Sequence, residues 1–535
     1  MARFNLSAPL RPFCCGPFSA LIAGLLLLTQ PALATSAWDA TINKAIPVGS
    51  ALAVTPVSDA RPMHIMVSLK LQNPDQLQAT WNSLFTPGSP QYGRFLTPAQ
   101  FAASFSPTVA QAQAVASYLT QQGFSHVTVS DNRVLVSGDA PASVVQKAFN
   151  TTLVQFQHEG KTLFLNTRDA QVPASLGGVV LGINGLENLL PIKTTLQQAR
   201  ERLTVPPYRR GAQPVDAAAL QNLVKAKLGA TQAGTVTMES SFPPTAWPIA
   251  YDALTVPDAS GTTVAISTEG DDLTQVIKDL RQMERENKYP YVPVEVRITN
   301  PLANPQDTSG DGEWALDSQS STGIAHNVHK LIFYTTDSTL DLLATYNTFA
   351  EKADAKVGNM SYGVCDLSEP ITNMLGSNDP LPGLPDFALA DQAFKQAAME
   401  GLTWFASTGD DGGTCSPFNA EALPGAGGPE GANYPATSPY VTAVGGTSLF
   451  TDADFNYVTE TAWTSGGGGI SSRETAPAWQ SGIVPSATAG LKGVPDIAMN
   501  AGFLLISQAG DTIVAGAHGG YLGTSLASPL AMGAW

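Results

Sequence analysis

Histidine is scarce in this sequence: 535 residues contain only six, and none lies in a recognisable catalytic-base motif. Charged residues make up only 13%, and they are unbalanced, with 28 lysines and arginines against 44 aspartates and glutamates. The net charge of −16 argues against nucleic acid and anionic membranes as partners, because both repel an acidic surface. Beyond the first 34 residues, the sequence lacks an apolar run long enough to cross a membrane.

The first 34 residues have the composition of a secretory signal. Arg3 and Arg11 form a positive start, 18–28 is an apolar run too short to span a bilayer, and 32–34 is a small-residue cleavage site. We therefore predict a signal peptide over 1–34 and a secreted protein, extracellular or periplasmic, with no membrane segment once the signal is removed.

Cysteine is also rare, with four in the whole chain. Cys14 and Cys15 leave with the signal, so Cys365 and Cys415 remain in an oxidising compartment, where a lone pair suggests one disulfide. The alternative is a catalytic cysteine. No histidine lies near either cysteine in sequence, and Ser525 is the stronger candidate nucleophile.

The remaining chain divides into three parts by its patterning. Residues 38–190 alternate strands and helices in an order that resembles a ferredoxin-like α+β domain. Residues 191–245 are rich in arginine, proline and glutamine, and are either a solvated linker or a linker that is cut during maturation. Residues 246–535 alternate short apolar strands with helices, which predicts a parallel sheet with catalytic residues at the carboxyl ends of its strands.

A pair of carboxyl groups is the first candidate for the missing base. Glu313 and Asp317 are four positions apart among helix-forming residues, so both lie on one face of a predicted helix. If this face is half-buried, the two groups share a proton and titrate together, and such a pair can accept a proton from a serine in acid. Imidazole cannot, because it is protonated below about pH 6. The alternative is a solvated helix face.

Two more motifs supply the other expected groups. Asp410 follows a predicted buried strand in Ser-Thr-Gly-Asp, where a protonated carboxyl can donate to an oxyanion. Its alternative role is to cap a turn. Near the end, Gly523 permits close backbone approach and Ser525 stands at a predicted helix start. Pro529 is expected in the first turn of that helix. The alternative for Ser525 is a simple helix cap.

In this order, these residues resemble the motifs of the sedolisin family of serine-carboxyl peptidases: Glu-x-x-x-Asp, Ser-x-Gly-Asp and Gly-Thr-Ser-x-x-x-Pro. Residues 89–101 and 179–191 resemble the activation domain that precedes these enzymes. The resemblance covers most of 61–535. It implies an α/β fold with a subtilisin-like parallel-sheet catalytic domain, preceded by a ferredoxin-like α+β prodomain that is removed autocatalytically in acid.

The resemblance also implies a role for each candidate residue. Ser525 would be the nucleophile, Glu313 the general base and Asp317 the residue that orients Glu313. Asp410 would stabilise the oxyanion. The family's substrate-binding strand corresponds to three consecutive residues: Ser361, Tyr362 and Gly363. Protein or peptide substrates, the chain's own prodomain in cis and a monomeric state follow from the same likeness, with endopeptidase or tripeptidyl-peptidase activity at acid pH.

Calcium is expected for the complete family domain, built by a segment after the nucleophile. That segment is absent from this chain, which stops ten residues past Ser525, so no metal ligand is assigned. Two alternatives remain. A truncated homologue could be an inactive secreted binding or inhibitory protein, or the chain could be a Ser-His-Asp enzyme that uses His326, His329 or His518.

Overall fold

The structure is a computed structural model that describes residues 37–189, 193–194, 241–270, 272–300, 306–336, 341–367, 369–377, 379, 385–415, 430–452, 454–480, 482–483, 490–502 and 509–535. The predicted signal 1–34 and most of the predicted linker 191–245 lie outside these residues. Within the described ranges, no helix combines the length and the apolar character needed to cross a bilayer.

The described strands are β1 (Trp38–Ala40), β2 (Thr55–Pro56), β3 (Pro62–Leu69), β4 (Ser125–Val129), β5 (Leu135–Pro141), β6 (Leu153–His158), β7 (Lys161–Asn166), β8 (Gln171–Pro173), β9 (Val180–Asn184), β10 (Lys193–Thr194), β11 (Ser241–Phe242), β12 (Thr263–Ser267), β13 (Val294–Ile298), β14 (Lys330–Thr335), β15 (Val357–Met360), β16 (Tyr362–Cys365), β17 (Thr403–Ser407), β18 (Asn433–Tyr434), β19 (Thr442–Thr451), β20 (Tyr457–Ala462), β21 (Gly469–Thr475), β22 (Leu491–Val494), β23 (Ile497–Asn500), β24 (Ala509–Val514) and β25 (Ala517–Tyr521).

The described α-helices are α1 (Pro74–Phe85), α2 (Pro98–Ser104), α3 (Val109–Gln122), α4 (Ala142–Ala148), α5 (Ala174–Gly177), α6 (Trp247–Ala250), α7 (Thr274–Asn287), α8 (Asp311–Ala325), α9 (Leu342–Lys352), α10 (Glu369–Leu375), α11 (Pro385–Met399) and α12 (Thr524–Ala534). Short 3₁₀ turns occupy Pro244–Ala246 and Ala478–Gln480.

The N-terminal region, residues 38–189, is built on an antiparallel sheet with the order β4-β5-β3-β9. Helices α1 to α3 follow its first strand and α4 follows its third, which gives the β-α-β-β-α-β succession of the ferredoxin-like fold. The hairpin β6–β7 is inserted before the last strand. Its turn is at Glu159–Gly160 as predicted, and both residues have positive φ, as a two-residue hairpin turn requires.

The C-terminal region, residues 241–535, is organised around an eight-stranded sheet with the order β13-β14-β12-β15-β17-β19-β20, in which β23 also pairs with β19. All pairs are parallel except β19 with β20. The predicted subtilisin-like parallel sheet is therefore confirmed. The edge strand β13 was not predicted, because its residues are largely half-exposed and lack a continuous apolar run.

The parallel strands place the candidate residues at one end of this sheet. β15 ends at Met360, immediately before Ser361, and β17 ends at Ser407, three residues before Asp410. β15 and β17 are direct neighbours, so these two chain segments leave the sheet side by side. Gly358 in β15 allows this close pairing, because a Cβ there would lie 2.4 Å from the Trp404 ring.

The N-terminal region packs against α10 through an apolar cluster. Its members are Ile46, Phe156, Leu163, Leu165 and Leu189 from the N-terminal region and Ile371 and Leu375 from α10. The backbone continues this contact, since the Gly49 amide donates to the Leu375 carbonyl at 2.9 Å. A Cβ on Gly49 would lie 1.8 Å from the Gly376 carbonyl oxygen, so only glycine permits this approach.

A polar contact joins the β4–β5 turn to helices α9 and α11. The buried Asn132 amide donates to Asn347 Oδ1 at 2.8 Å and to Gln396 Oε1 at 3.0 Å. Next to it, Lys352 Nζ donates to Asp131 Oδ2 at 2.6 Å. The N-terminal region is thus held on the C-terminal region by apolar packing and by matched hydrogen bonds, which is the form of a specific interface.

Cys365, the last residue of β16, is bonded to Cys415. The predicted disulfide is confirmed. Because both sulfur atoms are used in this bond, neither cysteine is available as the nucleophile considered above. The bond closes a sequence separation of 50 residues and fixes the end of β16.

A buried charge cluster lies behind β16, between α11 and β21. Asp391 Oδ1 accepts hydrogen bonds from Tyr434 at 3.0 Å and Ser438 at 2.7 Å, and burial raises the pKa of Asp391 to about 6. Burial and the neighbouring Asp391 raise the pKa of Glu474 to about 8. The fully buried Lys492 ammonium donates to three backbone carbonyls and to Asp496.

This cluster predicts a protein that is most stable in acid. Because folding raises both carboxyl pKa values, their contribution is fully present below about pH 4, the ordinary carboxyl range, and is lost as pH rises through about 6 for Asp391 and about 8 for Glu474. In an inactive Ser525→Ala background, we expect the melting temperature to fall between these pH values.

The matched variants are Glu474→Gln, which removes one titrating group of the cluster, and Glu159→Gln, which alters an exposed carboxylate in the turn between β6 and β7. Calorimetry from pH 4 to pH 8 should show a shallower loss of stability for Glu474→Gln alone. An unchanged pH slope in Glu474→Gln would contradict the assignment.

Candidate active site

The carboxyl pair lies on α8, a helix that is buried on every side. Glu313 is 1% exposed and Asp317 is fully buried, so the face is more deeply covered than the half-burial considered from the sequence. Helix α8 packs along α12, where Leu316 and Leu526 share one apolar cluster. A Cβ added to Gly533 of α12 would lie 2.4 Å from the Ser321 carbonyl oxygen, which shows how closely the two helices approach.

Asp317 is anchored by one strong hydrogen bond. The Ser361 hydroxyl donates to Asp317 Oδ1 at 2.6 Å, and Asn359 Nδ2 donates to Ser361 Oγ at 2.9 Å. Burial raises the pKa of Asp317 well above its ordinary value, and the hydrogen bonds from Ser361 and Asn359 only partly oppose this. Asp317 therefore keeps its proton in acid.

Ser525 is the second residue of α12 and is fully buried. Helix α12 begins beside the carboxyl pair, and the Ser525 carbonyl oxygen lies 3.5 Å from Ser361 Oγ. The structure thus brings Asp317, Ser361 and the backbone of Ser525 together, with Glu313 one turn before Asp317 on the same helix.

Asp410 is held at the start of the same helix. Its Oδ1 atom accepts from the Thr524 backbone amide at 2.8 Å and from the Thr524 hydroxyl at 2.9 Å. The Thr524 hydroxyl also accepts from the Gly409 amide at 3.0 Å. Because Oδ1 already accepts two bonds, a proton on Asp410 is best placed on Oδ2, on the side of Gly523.

Pro529 departs from the sequence prediction. It lies inside α12, beyond the first turn where proline was expected. Proline has no backbone N–H, so it cannot donate to the carbonyl four residues earlier, which belongs to Ser525. That carbonyl lies 3.5 Å from Ser361 Oγ.

The expected substrate strand is β16, which Ser361 immediately precedes. One part of β16 pairs with β18, at Val364 and Cys365. The other part pairs antiparallel with β10 of the same chain, where Lys193 lies opposite Gly363 and Thr194 opposite Tyr362. The edge of β16 next to the site is therefore covered by a segment that follows the N-terminal region.

The backbone of Tyr362 lies at this edge, and its side chain is buried in the interior. Its hydroxyl lies 2.6 Å from Ser267 Oγ, and its ring meets the Trp314 ring edge-on at 6.4 Å. Trp314 is the residue after Glu313, so this contact ties β16 to the carboxyl-bearing helix.

Sequence reasoning missed three contributors to the site. Thr524 is part of the Gly-Thr-Ser motif, but the motif alone did not indicate its bonds to Asp410. Asn359 is two residues before Ser361 and points to the same face of the chain, which the alternation along a strand could have indicated. The β10 segment Lys193–Thr194 gave no signal, because two residues are too few for a periodic pattern.

The candidate histidines have partners of their own. His518 is half-exposed, and its ring nitrogens lie 3.0 Å from Asp511 and 2.8 Å from Glu286. His326 caps the end of α8 and its ring packs against Tyr289. None of these contacts of His326 and His518 involves Ser525.

Calcium is expected for the complete family domain, and the described part of the chain contains no candidate ligand set for it. There, no group of three or more histidine, cysteine, aspartate or glutamate side chains could hold a metal ion.

Gly523 offers a test of how Asp410 is placed. Its φ of 117° disfavours any side chain, and a Cβ would lie 2.6 Å from Asp410 Oδ2. Gly516 has a φ of 78° but faces open space, with its nearest neighbour at 3.9 Å. Alanine at either position should cost about 1–2 kcal/mol of stability, but only Gly523→Ala should displace Asp410.

We expect Gly523→Ala to lower digestion of a denatured protein in acid, the activity that the sequence predicts, by about 100-fold or more. Gly516→Ala, matched in backbone strain, should retain its activity. Equal activities in the two variants would show that Asp410 Oδ2 has no part in the reaction.

Comparisons with known proteins show which family this chain belongs to. The family described as "Pro-kumamolisin, activation domain" matches residues 50–189. Sedolisin from Pseudomonas sp. (strain 101) is 34% identical over 532 residues, covering 94% of this chain and 81% of sedolisin. Xanthomonalisin from Xanthomonas sp. (strain T-22) is 33% identical, over 90% of this chain and 58% of xanthomonalisin.

Among solved structures, Pseudomonas sedolisin, a serine-carboxyl proteinase complexed with two molecules of pseudo-iodotyrostatin, matches with 33% identity and a TM-score of 0.47, over 55% of this chain and 78% of that one. The length and identity of the match to the sedolisin sequence decide the family. This chain belongs to the sedolisin family of serine-carboxyl peptidases, and its N-terminal region carries the family's activation domain.

Proposed function

We propose that this chain is a secreted, acid-active peptidase made as a zymogen, in which Ser525 attacks the peptide bond and the Glu313–Asp317 pair accepts its proton. The proposal rests on one observation. Two carboxyl groups, Glu313 and Asp317, are buried together beside α12, the helix whose second residue is Ser525. The high pKa of Asp317 supports a pair that holds one proton and one negative charge in acid.

The first chemical step follows from this charge state. Glu313 takes the Ser525 hydroxyl proton as the oxygen bonds to the substrate carbonyl carbon. The carbonyl oxygen gains a negative charge, and the proton on Asp410 Oδ2 is donated to it in a hydrogen bond. Thr524 fixes Asp410 through two bonds to Oδ1, so the donor is in place before the charge develops.

The remaining steps return every proton. The carbon–nitrogen bond breaks, the amine leaves with the proton held by Glu313, and an ester on Ser525 remains. Water then attacks this ester with Glu313 as the base, the bond between the acyl carbon and Ser525 Oγ breaks, and Glu313 returns the proton to Oγ as the acid product leaves. Asp317 keeps its own proton throughout and stabilises Glu313 whenever Glu313 is ionised.

We further propose that substrate backbone pairs with Ser361, Tyr362 and Gly363 as an added strand. The antiparallel pairing of Lys193 and Thr194 with this strand supports the proposal, because the chain's own segment occupies the edge that a substrate would use. In the zymogen this segment blocks the edge, and in acid it is the first substrate. Under this proposal the domains are a signal over 1–34, a prodomain over 38–190, a processed linker over 191–245 and a catalytic domain over 246–535.

The central test compares wild type with Glu313→Gln, Ser525→Ala and Asp410→Ala, using digestion of a denatured protein between about pH 3 and pH 7. The first two variants should be inactive because they lack the base or the nucleophile. Asp410→Ala should lose about 10²–10³-fold in kcat, the cost of one oxyanion donor.

Asp454→Asn is the control, since Asp454 is an exposed carboxylate between β19 and β20, far from the carboxyl pair in sequence. It should match the wild type at every pH. Activity that instead rises through about pH 7 would favour a histidine base. An inactive wild type would favour a secreted binding or inhibitory protein.

A second test concerns self-processing at β10. Lys193→Pro removes a backbone N–H and clashes in a paired strand, whereas Lys193→Ala keeps the backbone. On acidification, the proline variant should release its N-terminal region more than about 10-fold more slowly, the effect of losing roughly 1.4 kcal/mol of pairing. The alanine variant should process at the wild-type rate. Equal rates would show that β10 is not the segment presented for cleavage.

A further inference from the structure

A chain of buried hydrogen bonds connects α12 with Asp317 through a residue that the mechanism above does not use. The Ser528 hydroxyl donates to Asn359 Oδ1 at 2.6 Å, and Asn359 Nδ2 donates to Ser361 Oγ at 2.9 Å. Ser361 then donates to Asp317 Oδ1 at 2.6 Å. All four residues are fully buried, so water cannot replace any of these bonds.

The direction of every bond in this chain is determined. Ser361 has a single hydroxyl proton, and the 2.6 Å bond to Asp317 uses it. Ser361 Oγ must therefore accept from Asn359, which requires the amide nitrogen to face it. The amide oxygen then faces Ser528, which must donate. A serine or a carboxylate at 359 could not supply both groups at this spacing.

The chain joins the two elements whose relative position the reaction depends on. Ser528 lies three residues after Ser525, on the next turn of α12, and Asp317 lies one turn after Glu313 on α8. The Asn359 side chain of β15 joins this part of α12 to Ser361, through the bond that it accepts from Ser528.

We propose that Asn359 is a positioning residue that fixes the carboxyl group of Asp317 relative to Ser525 by joining Ser528 to Ser361. This inference rests on the proposed roles of Asp317 and Ser525. Loss of Asn359 frees Ser361 to rotate, so Asp317 loses its donor while the apolar packing of α8 on α12 remains.

The effect on pH dependence has a defined sign. The hydrogen bonds from Ser361 and Asn359 lower the pKa of Asp317 against the larger effect of burial. Without them the proton is held more tightly. The alkaline limb of the kcat–pH profile should then move to higher pH, because it reports loss of the proton that Asp317 keeps.

The experiment measures kcat, KM and melting temperature of the full-length chain after acid processing, for Asn359→Ala, Ser528→Ala and the double variant. Each single variant should lower kcat by about 10- to 100-fold, as expected for a small displacement of reacting groups, and leave KM within about twofold. The double variant should be no worse than the poorer single variant, because one chain of bonds is broken in each case.

Asn300→Ala is the matched control. Asn300 is also a buried amide that donates to a buried carboxylate, Asp341, at 2.9 Å. It should lose a comparable amount of melting temperature without any change of the kcat–pH profile. Ser528→Ala removes one hydroxyl only, so it tests the same chain of bonds if Asn359→Ala does not fold.

Two results would overturn the inference: a wild-type kcat–pH profile in both Asn359→Ala and Ser528→Ala, or additive losses in the double variant. Glu313→Gln and Ser525→Ala are measured in parallel. If those two variants retain activity, the proposed site itself is wrong. If they are inactive while Asn359→Ala and Ser528→Ala keep the wild-type profile, only the positioning role fails.

Discussion

The packing of α8 against α12 is the contact on which the site depends. It removes two carboxyl groups from water at a separation of one helical turn, and two buried negative charges at that distance are prohibitively costly. The pair must therefore retain a proton, and Asp317 is the member whose raised pKa is evident. Under the proposed mechanism, a base of this kind would function where imidazole is already protonated, so serine chemistry would not require a histidine.

How much of this the sequence could predict differs from one feature to the next. The spacing of Glu313 and Asp317 is a local property, so the shared helix face was predictable, whereas the depth of burial depends on α12, about two hundred residues away. Ser525 at a helix start was predictable from its motif. Pro529 was placed wrongly, because a local rule for proline in helices does not include the tertiary packing around α12.

The fold was predicted best where apolar runs are long. The buried parallel strands and both hairpin turns of the N-terminal region follow from hydrophobic patterning and turn residues. Strand β13 was missed because an edge strand needs little apolar surface. Lys193–Thr194 and Asn359 were missed for another reason: their roles come from partners distant in sequence, and no local pattern records such a contact.

Strand β16 connects the regulation of this protein to its chemistry. Ser361, the residue before β16, donates a hydrogen bond to Asp317. Strand β10 pairs with one edge of β16. Cys365, the last residue of β16, is bonded to Cys415. Behind it lie Asp391 and Glu474, whose raised pKa values favour the folded state in acid. Burial has the same effect at both places: it raises the pKa of Asp317 in the carboxyl pair and the pKa values of Asp391 and Glu474 near the strand that we propose binds substrate. Under the proposed mechanism, protonated carboxyl groups would therefore serve both the chemistry and the stability of its scaffold.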